Sequence, residues 1–155
     1  MAVELKHGKH SVGQSAYHLV WRPKYNVAVF RHPWVKQVCE NALKEAANTH
    51  GITIYEMKVM EDHVHMFVEL PPTMEVSKAL QLLKGASARR FFQKCTVWHR
   101  YFAKDGERKP HLWSPGKFYR SVGCVSADVV EKYIKFSNKW DFEYLDKQQR
   151  SLSSY

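Results

Sequence analysis

Two histidines one residue apart, in the segment Glu61-Asp62-His63-Val64-His65-Met66-Phe67-Val68, are the first residues whose types and spacing suggest chemistry. On a strand, residues two apart share a face, so His63 and His65 project together while Val64, Met66 and Val68 face the opposite way, toward a core. Two adjacent imidazoles can offer ring nitrogens to one divalent ion, and a turn at Glu61-Asp62 would set them near the sheet rim, within reach of a substrate. The chain has 9 histidines, so a chance pair is easily met, and spacing alone does not decide between a metal site and two unrelated strand residues. Tyrosine is the other chemically useful type, with 8 copies. Tyr133 lies at the edge of an apolar stripe marked by Val130 and Ile134, but Tyr55, Tyr119 and Tyr144 are equally admissible on periodicity.

Lys and Arg number 24 against 15 acidic residues, a formal charge of +9, which predicts attraction to a polyanion such as nucleic acid. Three cysteines (Cys39, Cys95 and Cys124) without a CxxC spacing read as plain thiols rather than a disulfide frame or a zinc knuckle. The N-terminus lacks an apolar signal region, and no run approaches the roughly 20 apolar residues of a membrane span. A soluble, cytoplasmic protein is expected.

The elements that must position these residues follow from pattern. Ser15 to Arg22 alternates apolar and polar before Pro23, as a strand does. After Pro33, Val35, Val38, Cys39, Ala42, Leu43 and Ala46 form one helical face, with Gly51 as the stop. Residues 52–59 and 63–70 alternate around the acidic break and predict a β-hairpin. Residues 75–94 are helical, with Val76, Leu80, Leu83, Ala88, Phe91 and Phe92 as core positions. The stretch 98–124 is irregular and contains one more strand, and Ser126 caps a helix through about Trp140. The 155 residues suffice for one domain. It is expected over 15–140, between a flexible tail at 1–14 and a polar tail at 141–155. The order β-α-β-β-α-β plus a helix predicts an α+β, ferredoxin-like (split βαβ, RRM-like) antiparallel sheet with packed helices.

Four segments in order carry a resemblance. EDHVHMFVELPP resembles the HUH signature (His-hydrophobic-His) of the single-tyrosine transposases of the insertion-sequence 200/605 class. YHLVWRPKY at 17–25 is similar to that family's first strand, LLKGASARRFF from Leu82 to its second helix, and LWSPGKFYRSVG followed by VVEKYI to the run leading to its nucleophile. The similarity covers about residues 15–140. It implies an enzyme that cleaves and rejoins single-stranded DNA at hairpin-marked ends, with His63 and His65 binding Mg²⁺ or Mn²⁺ and Tyr133 attacking phosphorus to leave a 5′-phosphotyrosine. It also implies a homodimer in which the tyrosine helix of one subunit serves the histidines of the other.

One position departs from the family pattern. Where relatives carry a Gln as third metal ligand, one turn after the tyrosine, this chain has Ser137, followed by Asn138; Asn138, Ser137 and Asp62 are the alternatives for that place. Arg22, Lys24, Lys84, Arg89 and Arg90, in or beside the matching segments, are the candidate phosphate contacts. Tyr25, Trp98 and Trp113 are candidates for stacking on unpaired bases. The second reading is a domesticated, non-cleaving protein of the same fold that binds hairpin DNA or RNA.

Overall fold

A computed structural model describes residues 6–7, 9–10, 12–103 and 109–122. Its centre is a four-stranded antiparallel sheet. β3 (Ala16–Trp21) is followed by α1 (Pro33–Thr49), then the hairpin of β4 (Thr53–Val59) and β5 (Val64–Glu69), then α2 (Val76–Lys94) and β6 (Phe118–Val122), in the spatial order β4-β5-β3-β6. β5 lies between β3 and β4 and is antiparallel to both, which is the split βαβ arrangement expected from the element order. Within the expected N-terminal tail, β1 (Lys6–His7) pairs with β2 (Val12–Gly13) as a two-residue ladder. The helix expected from Ser126 lies outside the described residues.

Local sequence explains the two helices. Pro33 opens α1, where its missing N–H costs nothing. Val35, Cys39, Ala42, Leu43, Ala46 and Ala47 then recur at helical spacing as the buried stripe. Gly51 follows the helix at φ +69°, a left-handed conformation that glycine adopts without a Cβ clash, and Ile52 N–H closes back onto Ala47 O at 2.9 Å. In α2 the fully buried stripe is Ala79, Leu80, Leu83, Ser87 and Phe91, whereas Val76, Ala88 and Phe92 pack only partly against the core. Both helices lie on the sheet face formed by Leu19, Trp21, Val59, Val64, Met66 and Val68, and these residues with the helical stripes make one continuous apolar cluster.

Ser87 is the polar member of that stripe, and it has a specific task. Its hydroxyl donates to Leu83 O at 2.7 Å and accepts from Trp113 Nε1 at 2.9 Å, which also donates to Lys84 O at 3.0 Å. Trp113 meets Trp21 edge to face at 5.9 Å between centroids. Around it, residues 112–114 run beside 22–24: Lys24 N–H donates to Leu112 O and Ser114 N–H to Arg22 O. The segment leading into β6 is therefore fixed before the strand begins. The stretch read as irregular also holds a short helical turn, α3 (His99–Phe102), whose Phe102 reaches the core.

Trp113→Phe keeps most of the apolar contact but removes the donor to Ser87 and Lys84, and should cost about 1 kcal/mol of unfolding free energy. Urea unfolding should show this as a lower midpoint at unchanged slope; an unchanged midpoint would mean that the indole N–H does not secure this segment.

Candidate metal and nucleic-acid site

The second face of the sheet carries the chemistry. Register places Ala16, His18 and Val20 of β3 beside Glu69, Phe67 and His65 of β5. Val122, Arg120 and Phe118 of β6 continue these rows on one side, and Lys58 of β4 lies opposite His65 on the other. His63 immediately precedes β5 on the same face. The hairpin is closed there by Met60 N–H donating to His63 O at 2.8 Å, with only Glu61 and Asp62 in the loop. A β-bulge in β4 between Ile54 and Glu56 gives Tyr55 no partner of its own in the ladder. Its ring packs on Phe67 and its hydroxyl bonds the buried Glu69 carboxylate.

His63 and His65 stand together, with ring centroids 4.6 Å apart and planes at 77°, and both are almost fully buried. Each has one ring nitrogen already engaged. His63 Nδ1 lies 2.8 Å from Asp62 Oδ1. An ionised carboxylate can only accept, so Nδ1 carries a proton, and in the neutral ring Nε2 then carries the lone pair. His65 Nδ1 lies 3.1 Å from His18 Nε2 on the neighbouring strand, the two rings being nearly parallel at 7°. His65 Nε2 is buried and has no hydrogen-bond partner among the described residues. A buried polar atom left in this state costs of order 1–3 kcal/mol unless a ligand satisfies it.

Burial, with His63, His18 and Lys58 adding to it, lowers the pKa of His65 to about 3. Burial and the charge of Arg120 lower that of His18 to about 4. Both imidazoles are therefore neutral near pH 7, the state in which a ring nitrogen can bind a cation. A neutral imidazole nitrogen such as His65 Nε2 suits a divalent metal. Among the described residues no group of three His, Cys, Asp or Glu side chains is assembled to hold a metal. Asp62 is engaged behind His63 as its orienting partner, and Tyr133, Ser137 and Asn138 lie outside the described residues.

The five cations singled out in the sequence lie at separate places in the fold, and alternation along β3 puts Arg22 on the face of His18 and Val20. Arg22 is buried at the end of β3. Lys24 Nζ lies over the Tyr25 ring, 5.2 Å from its centroid. Lys84 donates to Ser114 O at 2.7 Å and Gly116 O at 3.5 Å, and burial, then the charge of Lys117, lowers its pKa to about 8. Arg89 and Arg90 line a groove of about 280 Å³ between α1 and α2, on the helical side of the sheet, with Arg90 paired to Glu45 at 2.8 Å. Register also brings Lys58 beside His65 and Arg120 beside His18, and sequence reasoning did not find these two. It also missed His18, which sits in the quoted YHLVWRPKY segment. Of the stacking candidates, Trp113 is committed to the core, whereas Tyr25 is exposed and rests against Phe102 and Tyr101.

The lowered histidine pKa values fix a pH dependence. An unfolded histidine binds a proton near pH 6.5, whereas folded His18 and His65 bind theirs only near 4 and 3. Below about pH 6.5 the unfolded chain therefore holds more protons, and stability falls as pH drops toward those folded values. In chelator, the urea midpoint should decline from about pH 7 to about pH 4.5, and less steeply in His18→Gln. Equal slopes for the two proteins would show that His18 contributes nothing to the acid sensitivity.

The comparisons with known proteins agree with this architecture. The family profile described as "Transposase IS200 like" matches residues 11–137. The chain is 30% identical over 135 residues to the ISDra2 transposase TnpA of Deinococcus radiodurans, covering 87% of this chain and 92% of that protein. The crystal structure of a Deinococcus radiodurans protein described as a transposase superposes with a TM-score of 0.65 at 27% identity, over 84% of this chain and 95% of that one. The REP-associated tyrosine transposase bound to a REP hairpin shares the fold, with a TM-score of 0.52 at 12% identity over 82% and 67% of the two chains. With the profile spanning most of its length, and a curated relative matched almost end to end, the chain belongs to the IS200-like transposase family.

Proposed function

We propose that this transposase cleaves and rejoins single-stranded DNA at hairpin-marked ends, with Tyr133 as nucleophile and His63 and His65 as ligands of Mg²⁺ or Mn²⁺. The observation that carries the proposal is the pair of buried imidazoles 4.6 Å apart, each with Nδ1 engaged from behind, in a member of a transposase family. That arrangement leaves the two Nε2 atoms as the donors, and the partners of Nδ1 hold each ring in one orientation. A divalent ion there, when bound, stabilises negative charge developing on a phosphate.

The tyrosine step balances without water or a nucleotide cofactor. The Tyr133 oxygen forms a bond to phosphorus and loses its proton; the bond from phosphorus to the 3′ oxygen breaks, and that oxygen leaves as a 3′-OH. A phenol has a pKa near 10, so it needs help in becoming the nucleophile at neutral pH. The phosphotyrosine ester keeps the energy of the broken phosphodiester, and a 3′-OH from another strand can reverse the attack and join to it. Lys58 and Arg120, on the histidine face, supply positive charge for the strand that enters. A DNA hairpin as substrate is supported by the fold neighbour solved bound to a REP hairpin. A homodimer with shared sites belongs to the same reading.

The test is incubation of the full chain with labelled single-stranded hairpin DNA from the flanks of its own gene, in Mn²⁺. Wild type should form a covalent protein–DNA adduct; Tyr133→Phe should form none, and His63→Ala or His65→Ala should drop to background. An adduct that persists in Tyr133→Phe removes the nucleophile assignment. Tight hairpin binding without any adduct favours a non-cleaving protein of the same fold.

A further inference from the structure

We infer that His18 is a positioning residue for the metal site: its Nε2 accepts a hydrogen bond from His65 Nδ1–H and so holds His65 in the tautomer that presents Nε2 as a ligand. The inference rests on the metal reading above, but its geometry is independent of it. His65 has two ring nitrogens with different surroundings. Nδ1 faces His18 Nε2 at 3.1 Å, and Nε2 is buried without a hydrogen-bond partner among the described residues. A neutral imidazole carries one proton. If that proton sat on Nε2, His18 Nε2–H would donate to His65 Nδ1 instead, and no lone pair would remain on His65 Nε2 for a cation. With the proton on Nδ1, the contact to His18 is a hydrogen bond and Nε2 is a donor. His18 must then carry its own proton on Nδ1.

The assignment makes the two ligand histidines equivalent. Asp62 Oδ1 receives the Nδ1 proton of His63 at 2.8 Å, and His18 Nε2 receives that of His65 at 3.1 Å. The acceptors differ in kind, one a carboxylate on the hairpin loop and the other an imidazole on a neighbouring strand. His18 is itself 1% exposed, so no solvent competes for the contact. It is not placed as a third ligand, because its near nitrogen faces Nδ1 of His65 rather than Nε2. Partners of this kind fix the ring orientation of metal-bound histidines, and losing one typically costs 10–100-fold in affinity.

The tests use the full chain and two readouts that need no DNA chemistry. Nitrogen-15 NMR of the metal-free protein reads the His65 tautomer directly, and Mn²⁺ titration reads affinity. Wild type should show His65 protonated on Nδ1. His18→Gln, whose amide oxygen can stand where Nε2 stood, should keep that tautomer and bind Mn²⁺ within a few-fold of wild type. His18→Leu, similar in size without an acceptor, should bind about 10–100-fold more weakly. Wild-type His65 protonated on Nε2 overturns the inference, as does folded His18→Leu with wild-type affinity or folded His18→Gln with affinity lost. Should His18→Leu fail to fold, the wild-type tautomer and His18→Gln still decide. Wild type that binds no Mn²⁺ rejects the metal reading above, while the tautomer measurement stands on its own.

Discussion

The hydrogen bond from His65 to His18 spans two strands, and its geometry depends on the register of the β3–β5 ladder. A slip by one residue would turn His18 to the helical face and send Leu19 toward the site. A slip by two would keep the faces but set His18 opposite His65 itself or opposite Glu69, in place of Phe67. The register is defended from the other side of the sheet, where Leu19, Trp21, Val64, Met66 and Val68 fit against α1 and α2. The apolar packing that stabilises the domain therefore also sets the geometry of a polar constellation it never touches.

Two local devices refine that geometry. The two-residue loop at Glu61 and Asp62 brings a carboxylate against the ring that follows it in sequence. The bulge at Tyr55 spends one extra residue in β4, so that its ring packs on Phe67 and its hydroxyl satisfies the buried Glu69. Without such a partner, a buried carboxylate on this face would be strongly unfavourable.

Much of this was legible in the sequence, for reasons specific to particular residues. The alternation around His63 and His65 sets their shared face; Pro33 and Gly51 bound α1 through backbone chemistry that few other residues supply. Strand periodicity tells which face a residue occupies, however, and not which residue of another strand stands beside it. His18, Lys58 and Arg120 became part of the site only through register between segments far apart in the chain. Ser87 was missed because a serine in a helical stripe has no apolar signature, although its hydroxyl is what Trp113 requires. Tyr133 is a different case: resemblance alone picks it from the tyrosines, and it lies outside the described residues.

The unequal sequence separation of the two imidazole supports has a consequence for when the site comes into being. Asp62 and His63 are neighbours, so a hairpin that closes on its own brings them together within about 1–10 μs. His18 and His65 are 47 residues apart, with α1 and the rest of the hairpin between them, and they meet only when β3 is laid against β5. A nascent or partly opened chain thus carries half of the constellation. The second ring acquires its acceptor only on closure of the sheet, which ties any reactivity of these histidines to the finished fold.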